Sequence, residues 1–175
     1  TLVVTQDGGQ HWESRGTALD NPMEFHLNSI TGDGKGRVVI VGEGGMMFRS
    51  LDGGASWETL DPVYEGSFFG VIYDAAHDVL VACGLQGNLF RSADFGTTWE
   101  AVTVDTTITL AGGNASNGHI VVVGGVGTVL ASDNGGVSFE RSMIADRLSL
   151  SSGVHLGDRR VLVGQGGVKT QAVNQ

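Results

Sequence analysis

Short runs of apolar residues alternate with glycine-rich turns along the whole chain. The β-branched runs at residues 38–41 and 120–123 are each followed by a glycine turn and then by a second apolar stretch, such as residues 46–48. β-branched residues favour strands, and glycine adopts the positive φ angles that tight hairpin turns require. This pattern predicts a series of β-hairpins.

The glycine turn recurs at a nearly fixed interval. It begins at Gly42, Gly84, Gly124 and Gly164, so that successive turns lie 40 to 42 positions apart. A period near 40 residues is the length of one four-stranded blade of a β-propeller. The sequence therefore predicts an all-β protein built of four-stranded antiparallel blades.

A second sequence phrase repeats with a similar period. It contains a hydroxyl residue, an Asp or Asn two positions later, one or two glycines and a final aromatic residue. The Asp or Asn side chain can accept hydrogen bonds from nearby backbone N–H groups, and the hydroxyl group can close the turn from the other side. We expect the aromatic residue to be buried beside a neighbouring blade, and the phrase to serve folding with no direct ligand role. The residues assigned to the four copies are Asp7 and Trp12; Ser50, Asp52, Gly54 and Trp57; Ser92, Asp94, Gly96 and Trp99; and Ser132, Asn134, Gly136 and Phe139.

Composition excludes several classes of function. The chain has 175 residues, of which 29 are Gly and 2 are Pro. No apolar run approaches the ~20 residues that a membrane-spanning helix needs. Ten basic residues against nineteen acidic residues give a formal net charge of −9, which argues against a nucleic-acid partner. The single cysteine, Cys83, ends an apolar run and is expected to be a small core residue.

The residue pattern gives little support to a catalytic or metal site. The five histidines lack the pairing of metal ligands, and we interpret them as mainly solvated surface side chains. Glycoside hydrolysis needs two opposed carboxylates, and the acids available outside the repeated phrase are Glu24, Glu43, Glu65 and Asp74. Glu43 lies in a glycine turn, as expected of a solvated hairpin tip. We predict no metal site, no cofactor and no enzymatic activity.

The repeated phrase matches the Asp-box, also called the bacterial neuraminidase repeat, and this resemblance covers essentially the whole chain. The longer phrases from Gly42 to Trp57 and from Gly84 to Trp99 resemble the photosystem II assembly and stability factor family and its relatives among exported bacterial propellers. The resemblance implies a β-propeller located in the periplasm or elsewhere outside the cytoplasm. It also implies a non-catalytic scaffold for the assembly or function of a membrane-protein complex, such as an exporter.

Two arginines are the partner-binding residues that the resemblance implies. Arg49 and Arg91 match the arginine that precedes the box in this family, where such arginines contact a client membrane protein. Val4 and Ala131 occupy the same place in the other two repeats. The alternative for each arginine is an intramolecular contact that straps neighbouring blades together.

Two other functions remain open. The first is a glycan-binding or glycoside-cleaving propeller of the sialidase type, for which Phe68 and Phe69 are the adjacent aromatic residues in an inner strand. The second is a purely structural module of a larger receptor or exporter assembly.

The repeats also divide the chain into blades. Residues 24–60, 66–103 and 107–142 are expected to form complete blades, with residues 1–16 and 147–175 as partial blades. The partial blades either close on each other in a four-bladed ring or belong to a longer propeller, and self-association of two chains could also complete a ring. Because the resembled family has larger rings, typically of seven blades, and the chain begins within a blade, we favour a segment of a longer ring.

Overall fold

The computed structural model describes residues 2–173, so Thr1 and residues 174–175 of the predicted partial blades lie outside the described residues. These described residues form five antiparallel sheets that follow one another in sequence. Within residues 2–173 there is no helix of the length and apolarity needed to cross a membrane. The predicted all-β fold of antiparallel blades is confirmed.

The five sheets are numbered blades 1 to 5 in chain order. Blade 1 contains β1 (Val3–Val4) and β2 (Glu13–Ser14), and blade 2 contains β3 (Leu27–Gly32), β4 (Val38–Gly42), β5 (Met47–Ser50) and β6 (Glu58–Thr59). Blade 3 contains β7 (Phe68–Asp74), β8 (Val79–Gly84), β9 (Leu89–Ser92) and β10 (Glu100–Ala101). Blade 4 contains β11 (Leu110–Ser116), β12 (His119–Gly124), β13 (Thr128–Ser132) and β14 (Glu140–Met143), and blade 5 contains β15 (Leu150–Leu156), β16 (Arg159–Gly164) and β17 (Gly167–Ala172). Short 3₁₀ turns occupy Gly16–Ala18, Glu43–Gly45, Leu85–Gly87 and Gly125–Gly127.

The strands of blades 2 to 4 pair in chain order, and the first strand of each blade lies against the first strand of the next. The inner strands are therefore β3, β7, β11 and β15. Because each blade is an antiparallel meander, the Asp-boxes and the turns between first and second strands share one end of the blades. We call this the Asp-box end. The glycine turns lie at the opposite end.

Each inner strand carries a β-bulge near its first residue, and this bulge explains the first glycine of each turn. The register shifts between Leu27 and Ser29, and the same shift recurs in β7, β11 and β15. Gly42 pairs with Leu27, and a Cβ atom on Gly42 would meet the carbonyl oxygen of His26. That oxygen accepts a hydrogen bond from the Glu43 N–H at 3.0 Å. The repeated glycine thus marks a close approach of two strands as well as a turn.

The hydrophobic core is divided among the junctions between blades. Val39, Val41 and Met47 of blade 2 pack against Phe68 and Leu80 of blade 3, and all five are fully buried. The next two junctions repeat this arrangement with other aliphatic side chains. Full burial of one such side chain contributes about 1.5–3 kcal/mol, so each blade depends strongly on its neighbours for stability.

Cys83 is fully buried in the junction between blades 3 and 4, as the sequence predicted. Burial raises the pKa of its thiol to about 12. The side chain therefore acts as a small core residue, and its thiol is poorly suited to nucleophilic chemistry.

Apolar surface is exposed at both ends of the described series. Val163 and Val168 of blade 5 occupy the register positions of Val41 and Met47, yet Val168 is 71% exposed. On β3, the first of the inner strands, Ile30 is also mostly exposed. Whether further blades, ring closure or a second chain covers this surface stays a prediction.

Candidate functional site

The Asp-box of blade 2 is a turn closed by side chains from both sides. The Ser50 hydroxyl donates to Asp52 Oδ1 at 2.8 Å and accepts the Gly54 N–H at 2.8 Å. Asp52 also accepts the backbone N–H of Ser56 at 2.9 Å and its hydroxyl at 2.6 Å. These hydrogen bonds, with that from the Ser56 hydroxyl as the largest contribution, lower the pKa of Asp52 to about 2. The turn chemistry expected from the sequence is therefore present in full.

The other copies keep this arrangement with local changes. Asp94 repeats the contacts of Asp52, with Thr98 in the place of Ser56. In blade 4, Asn134 accepts the Ser138 N–H through Oδ1 and donates to the Ser138 hydroxyl through Nδ2, so one hydrogen bond is reversed in direction. An amide can thus replace the carboxylate without opening the turn.

The aromatic residues that end the boxes differ in burial. Trp57, Trp99 and Phe139 are partly buried and pack against the cores of blades 2, 3 and 4. Trp12 is 60% exposed, so the prediction that every box aromatic is buried is wrong for this residue. The physical reason is that, within residues 2–173, blade 1 has two short strands, whereas the other three aromatics lie over four-stranded sheets.

Arg49 connects the outer part of blade 2 to the Asp-box of blade 3. Its Nη1 donates to the Thr97 hydroxyl at 2.6 Å and to the Phe95 carbonyl at 3.3 Å. Its Nε and Nη2 donate to Glu58 Oε2 at 3.2 and 2.7 Å. The Arg49 side chain is only 11% exposed, so most of this guanidinium group is occupied within the protein.

Arg91 repeats the connection one blade later, with fewer bonds. Its Nε donates to the Gly135 carbonyl in the Asp-box of blade 4 at 2.6 Å. Within residues 2–173, its Nη1 and Nη2 groups make no hydrogen bond, and the side chain is half-buried. Both arginines thus make the contacts of interblade straps, and client binding by Arg49 and Arg91 stays a prediction.

The comparisons with known proteins identify the family. The family model described as "Photosynthesis system II assembly factor YCF48" matches residues 1–117. The chain belongs to the YCF48 family. This confirms the resemblance drawn from the phrases at Gly42 and Gly84.

Individual relatives agree with this assignment. The "Photosystem II assembly lipoprotein Ycf48" of Synechococcus sp. (strain CC9902) is 39% identical over 56 residues, which are 32% of this chain and 16% of that protein. The solved structure "YCF48 bound to D1 peptide" is 25% identical, with a TM-score of 0.69 over 96% of this chain and 55% of that one. A GH74 enzyme from Niastella koreensis, 22% identical with a TM-score of 0.63 over 83% of this chain and 22% of that one, shows the fold alone. The chain therefore spans about half of the YCF48 structure and a smaller part of the Synechococcus protein.

The YCF48-family chain has a further interblade contact, made by Arg37, that the sequence interpretation missed. Arg37 Nε donates to Asp33 at 2.7 Å, and its Nη2 donates to Asp78 of blade 3 at 2.6 Å. The guanidinium carbon also lies 4.2 Å from the centre of the Phe95 ring. The hydrogen bond from the Arg37 side chain is the main reason that the pKa of Asp33 falls to about 2. Arg37 and Asp78 lie 41 positions apart in the sequence, with the strands β4 to β7 between them, and no local motif signals their contact.

A repeated glutamate was also missed, although its signal was present. Every box aromatic is followed directly by a glutamate, which begins the outermost strand of blades 1 to 4 and is exposed; these residues are Glu13, Glu58, Glu100 and Glu140. Comparing the repeats one residue further would have found it. These side chains place a negative charge on each short edge strand.

The acids considered for catalysis lie on separate elements. Glu43 is in a glycine turn, where it accepts the His26 N–H at 3.0 Å. Asp74 is almost fully buried at the Asp-box end, where its Oδ2 lies 2.5 Å from His77 Nδ1. Glu24 and Glu65 lie in loops between blades and are exposed. In the described part of the chain, no group of three or more His, Cys, Asp or Glu side chains is arranged to hold a metal ion.

One histidine departs from the sequence interpretation. His155 is 9% exposed, and its ring stacks on that of His119 at a centroid distance of 3.9 Å. The expectation of solvated imidazoles is therefore wrong for His155, because the inner strand β15 packs this residue against blade 4.

Proposed function

We propose that this chain is the client-binding part of a YCF48-type assembly propeller. In this role it holds a segment of a membrane protein while the complex of that protein is assembled, and it catalyses no reaction. The observation that carries the proposal is the likeness, over 96% of this chain, to a YCF48 structure described as bound to a D1 peptide. The family match over residues 1–117 supports the same role.

Arg91 is the better of the two predicted client contacts. Two of its nitrogen groups have no hydrogen-bond partner within residues 2–173, whereas every nitrogen of Arg49 that can donate is bonded. A guanidinium group with two free donors can bind a carboxylate or a pair of carbonyl oxygens. We therefore assign client contact to Arg91 and a supporting role to Arg49, which fixes the Asp-box of blade 3.

The arrangement of acids supports a non-catalytic role. Glu43 and Asp74 lie at opposite ends of the blades, and Asp74 is occupied by His77. A glycosidase needs two carboxylates about 5–10 Å apart across the scissile bond. The alternative of a glycan-binding or glycoside-cleaving propeller has only the shared fold of the GH74 enzyme in its favour.

We further propose that the protein works outside the cytoplasm, since the matched Synechococcus protein is named a lipoprotein. The client is a membrane protein that exposes a polar segment on that side. Subunits of photosynthetic complexes and of exporters are the two client classes that the experiment below separates.

The test is capture from detergent-solubilised membranes of the source organism, with the 175-residue chain as bait. The Arg91→Ala variant and the Arg15→Ala variant serve as a matched pair, because Arg15 is also a half-buried arginine, and within residues 2–173 its side chain is bonded only to Glu13 on the outer strand of blade 1. We expect the wild-type chain and Arg15→Ala to enrich the same membrane protein, and Arg91→Ala to bind it at least about tenfold more weakly, as for a hot-spot residue. Peptides from the exposed segments of the captured protein then locate the contact by fluorescence anisotropy.

The different results lead to different conclusions. Equal capture by Arg91→Ala and wild type would remove the arginine contact but keep the assembly role. Enrichment of no membrane protein would overturn the assembly role itself, and retention on glycan arrays would then favour the glycan-binding alternative.

A further inference from the structure

The three junctions from blade 2 to blade 5 bring the same two repeat positions together, but with different residues. One position lies five residues before the first glycine of the glycine turn, and the other lies five residues after the start of the inner strand of the next blade. The resulting pairs are Arg37 and Tyr73, Val79 and Ala115, and His119 and His155. In the first junction both residues bind Asp78, and in the second both pack in the core. The third junction holds a pair of histidines.

The two imidazole rings of this pair are stacked across the junction between blades 4 and 5. Their planes are inclined by 13° and their centroids are 3.9 Å apart. His119 Nδ1 lies 2.5 Å from Asp133 Oδ1, whereas His155 is buried and has no carboxylate within hydrogen-bonding distance among the described residues. The pair therefore has one counter-charge for two titratable rings.

Other charged groups around the pair do not supply a second counter-charge. Arg160 of β16 lies opposite His155 in the sheet register and lines the same groove as Asp133. Glu140 and Arg141 of β14 line this groove as well, and offset each other. On the strand-connecting turn of blade 5, Asp158 is bonded to Arg159.

We propose that this histidine pair makes the junction between blades 4 and 5 sensitive to acid. With one proton, the imidazolium of His119 is paired with Asp133 and the stack holds. A second proton places two positive charges on rings whose centroids are 3.9 Å apart, beside Arg160, with the His155 ring buried and the His119 side chain 36% exposed, so the two charges repel each other. In a separated junction both rings accept protons without this repulsion. Proton binding and separation of blade 5 from blade 4 therefore favour each other, so that acid promotes the separation.

The consequence goes beyond the proposed client binding. Blade 5 has its only junction within the described residues with blade 4, and its other face is exposed. Within the described residues, loosening this junction would lower the protection of β15 to β17, while the junctions between blades 2, 3 and 4, which lack a histidine pair, stay closed. The junction between blades 4 and 5 would thus respond to pH separately from the two junctions before it.

The test is amide hydrogen exchange of the 175-residue chain at about pH 7.5 and about pH 5.0, expressed as protection factors so that the intrinsic pH dependence of exchange is removed. We expect protection in β15 and β16 to fall at least about tenfold at the lower pH, with little change in β8. The matched variant carries His119→Val and His155→Ala, which copies the Val79 and Ala115 pair of the preceding junction. Its protection in β15 and β16 should be the same at both pH values.

A second variant keeps the test decisive if that double change prevents folding. His155→Gln retains a polar planar side chain but cannot take the second proton, so it should also lose the pH dependence. Equal protection of β15 and β16 at both pH values in the wild-type chain would overturn the proposal. An acid response retained in His155→Gln would do so too, since the responsible group would then lie elsewhere, with His77 beside Asp74 the next to be replaced.

Discussion

The guanidinium group of Arg49 donates a hydrogen bond to the Thr97 hydroxyl at 2.6 Å, across the junction between blades 2 and 3. Thr97 belongs to the Asp-box of blade 3, where Arg49 also donates to the Phe95 carbonyl, and Arg91 donates to the corresponding carbonyl in the box of blade 4, that of Gly135. The residue before one box therefore anchors the next box. In this way a local turn motif becomes part of the contact between repeats, which stabilise one another mainly through nearest neighbours.

This arrangement predicts that Arg49 matters more for stability than Arg91. Hydrogen bonds to charged groups contribute about 1.5–3 kcal/mol, but the exposed Glu58 side of the contact is screened by solvent. We expect Arg49→Ala to lower the free energy of unfolding in urea by about 2 kcal/mol, and Arg91→Ala by about 1 kcal/mol. Arg49→Lys should recover little, because a single ammonium group cannot reach Thr97, Phe95 and Glu58 together. A larger loss for Arg91→Ala than for Arg49→Ala would contradict this ranking.

The stability lost when a box aromatic is replaced should likewise depend on how deeply that aromatic is buried. Trp99 packs against the core between blades 2 and 3, so Trp99→Ala should cost about 3–5 kcal/mol through cavity formation. Trp12 is mostly exposed, so Trp12→Ala should cost less than about 1 kcal/mol. Urea unfolding followed by far-ultraviolet circular dichroism measures both. Similar losses for the two variants would show that Trp12 is packed in blade 1 as firmly as Trp99 is in blade 3.

The blades and their turns were predictable from sequence because each is closed by neighbouring residues. Ser50, Asp52 and Ser56 make the box within seven positions of the chain, so the pattern of residue types identifies it. The contacts of Arg37 with Asp78 and of His119 with His155 depend on how one blade is rotated against the next. Sequence spacing within a repeat carries no information on that rotation, and the exposure of Trp12 likewise depends on the extent of its own sheet.

A strained residue at the tip of one glycine turn gives a third prediction. Val126 has φ 54° and ψ 32°, a left-handed conformation that is unusual for a β-branched residue, and its equivalent in blade 2 is Gly44. Val126 is 42% exposed and contributes little packing. We expect Val126→Gly to stabilise the protein by about 0.5–1 kcal/mol, which is the relieved strain less the entropy that glycine adds to the unfolded chain.

The neighbouring Gly127 supplies the control. A Cβ atom there would lie 2.7 Å from Ile144 Cγ1 and 3.0 Å from Arg147 Cα, and the residue has φ 67°. Gly127→Ala should therefore lower the thermal midpoint that Val126→Gly raises. If both variants lowered it, strain at Val126 would be too small to matter.

The Asp-boxes predict a loss of stability in acid. Hydrogen bonds from Ser56 hold the pKa of Asp52 at about 2 in the folded state, below the value of about 4 for a free carboxyl group. A lowered pKa in the folded state means that the carboxylate stabilises the fold above about pH 4 and loses this contribution as the pH falls through about 2. Thermal midpoints measured from about pH 5 to about pH 2 should decline less steeply for Asp52→Asn than for the wild-type chain.

The chain offers a reciprocal variant for this test. Blade 4 already carries Asn134, whose amide keeps the turn closed without a charge. Asn134→Asp should steepen the decline below about pH 4, because it adds a carboxyl group held by Ser132 and Ser138. Parallel curves for both variants and the wild type would place the acid sensitivity outside the boxes.

The outer glutamates predict resistance to association through strand edges. The strand β14 is the longest of the outermost strands in blades 2 to 4, and it exposes Glu140, Arg141 and Met143. An unpaired edge with apolar side chains invites pairing with another chain, and a charged side chain opposes it. We expect Glu140→Val to form dimers or larger species at concentrations where the wild-type chain does not, as measured by size-exclusion chromatography with light scattering. Glu100→Val should have a smaller effect, since β10 has only two residues. Glu140→Lys keeps a charge at the same place, so it should remain unassociated like the wild type. If Glu140→Lys associated as much as Glu140→Val, the cause would be the loss of the carboxylate, and charge as such would not protect the edge.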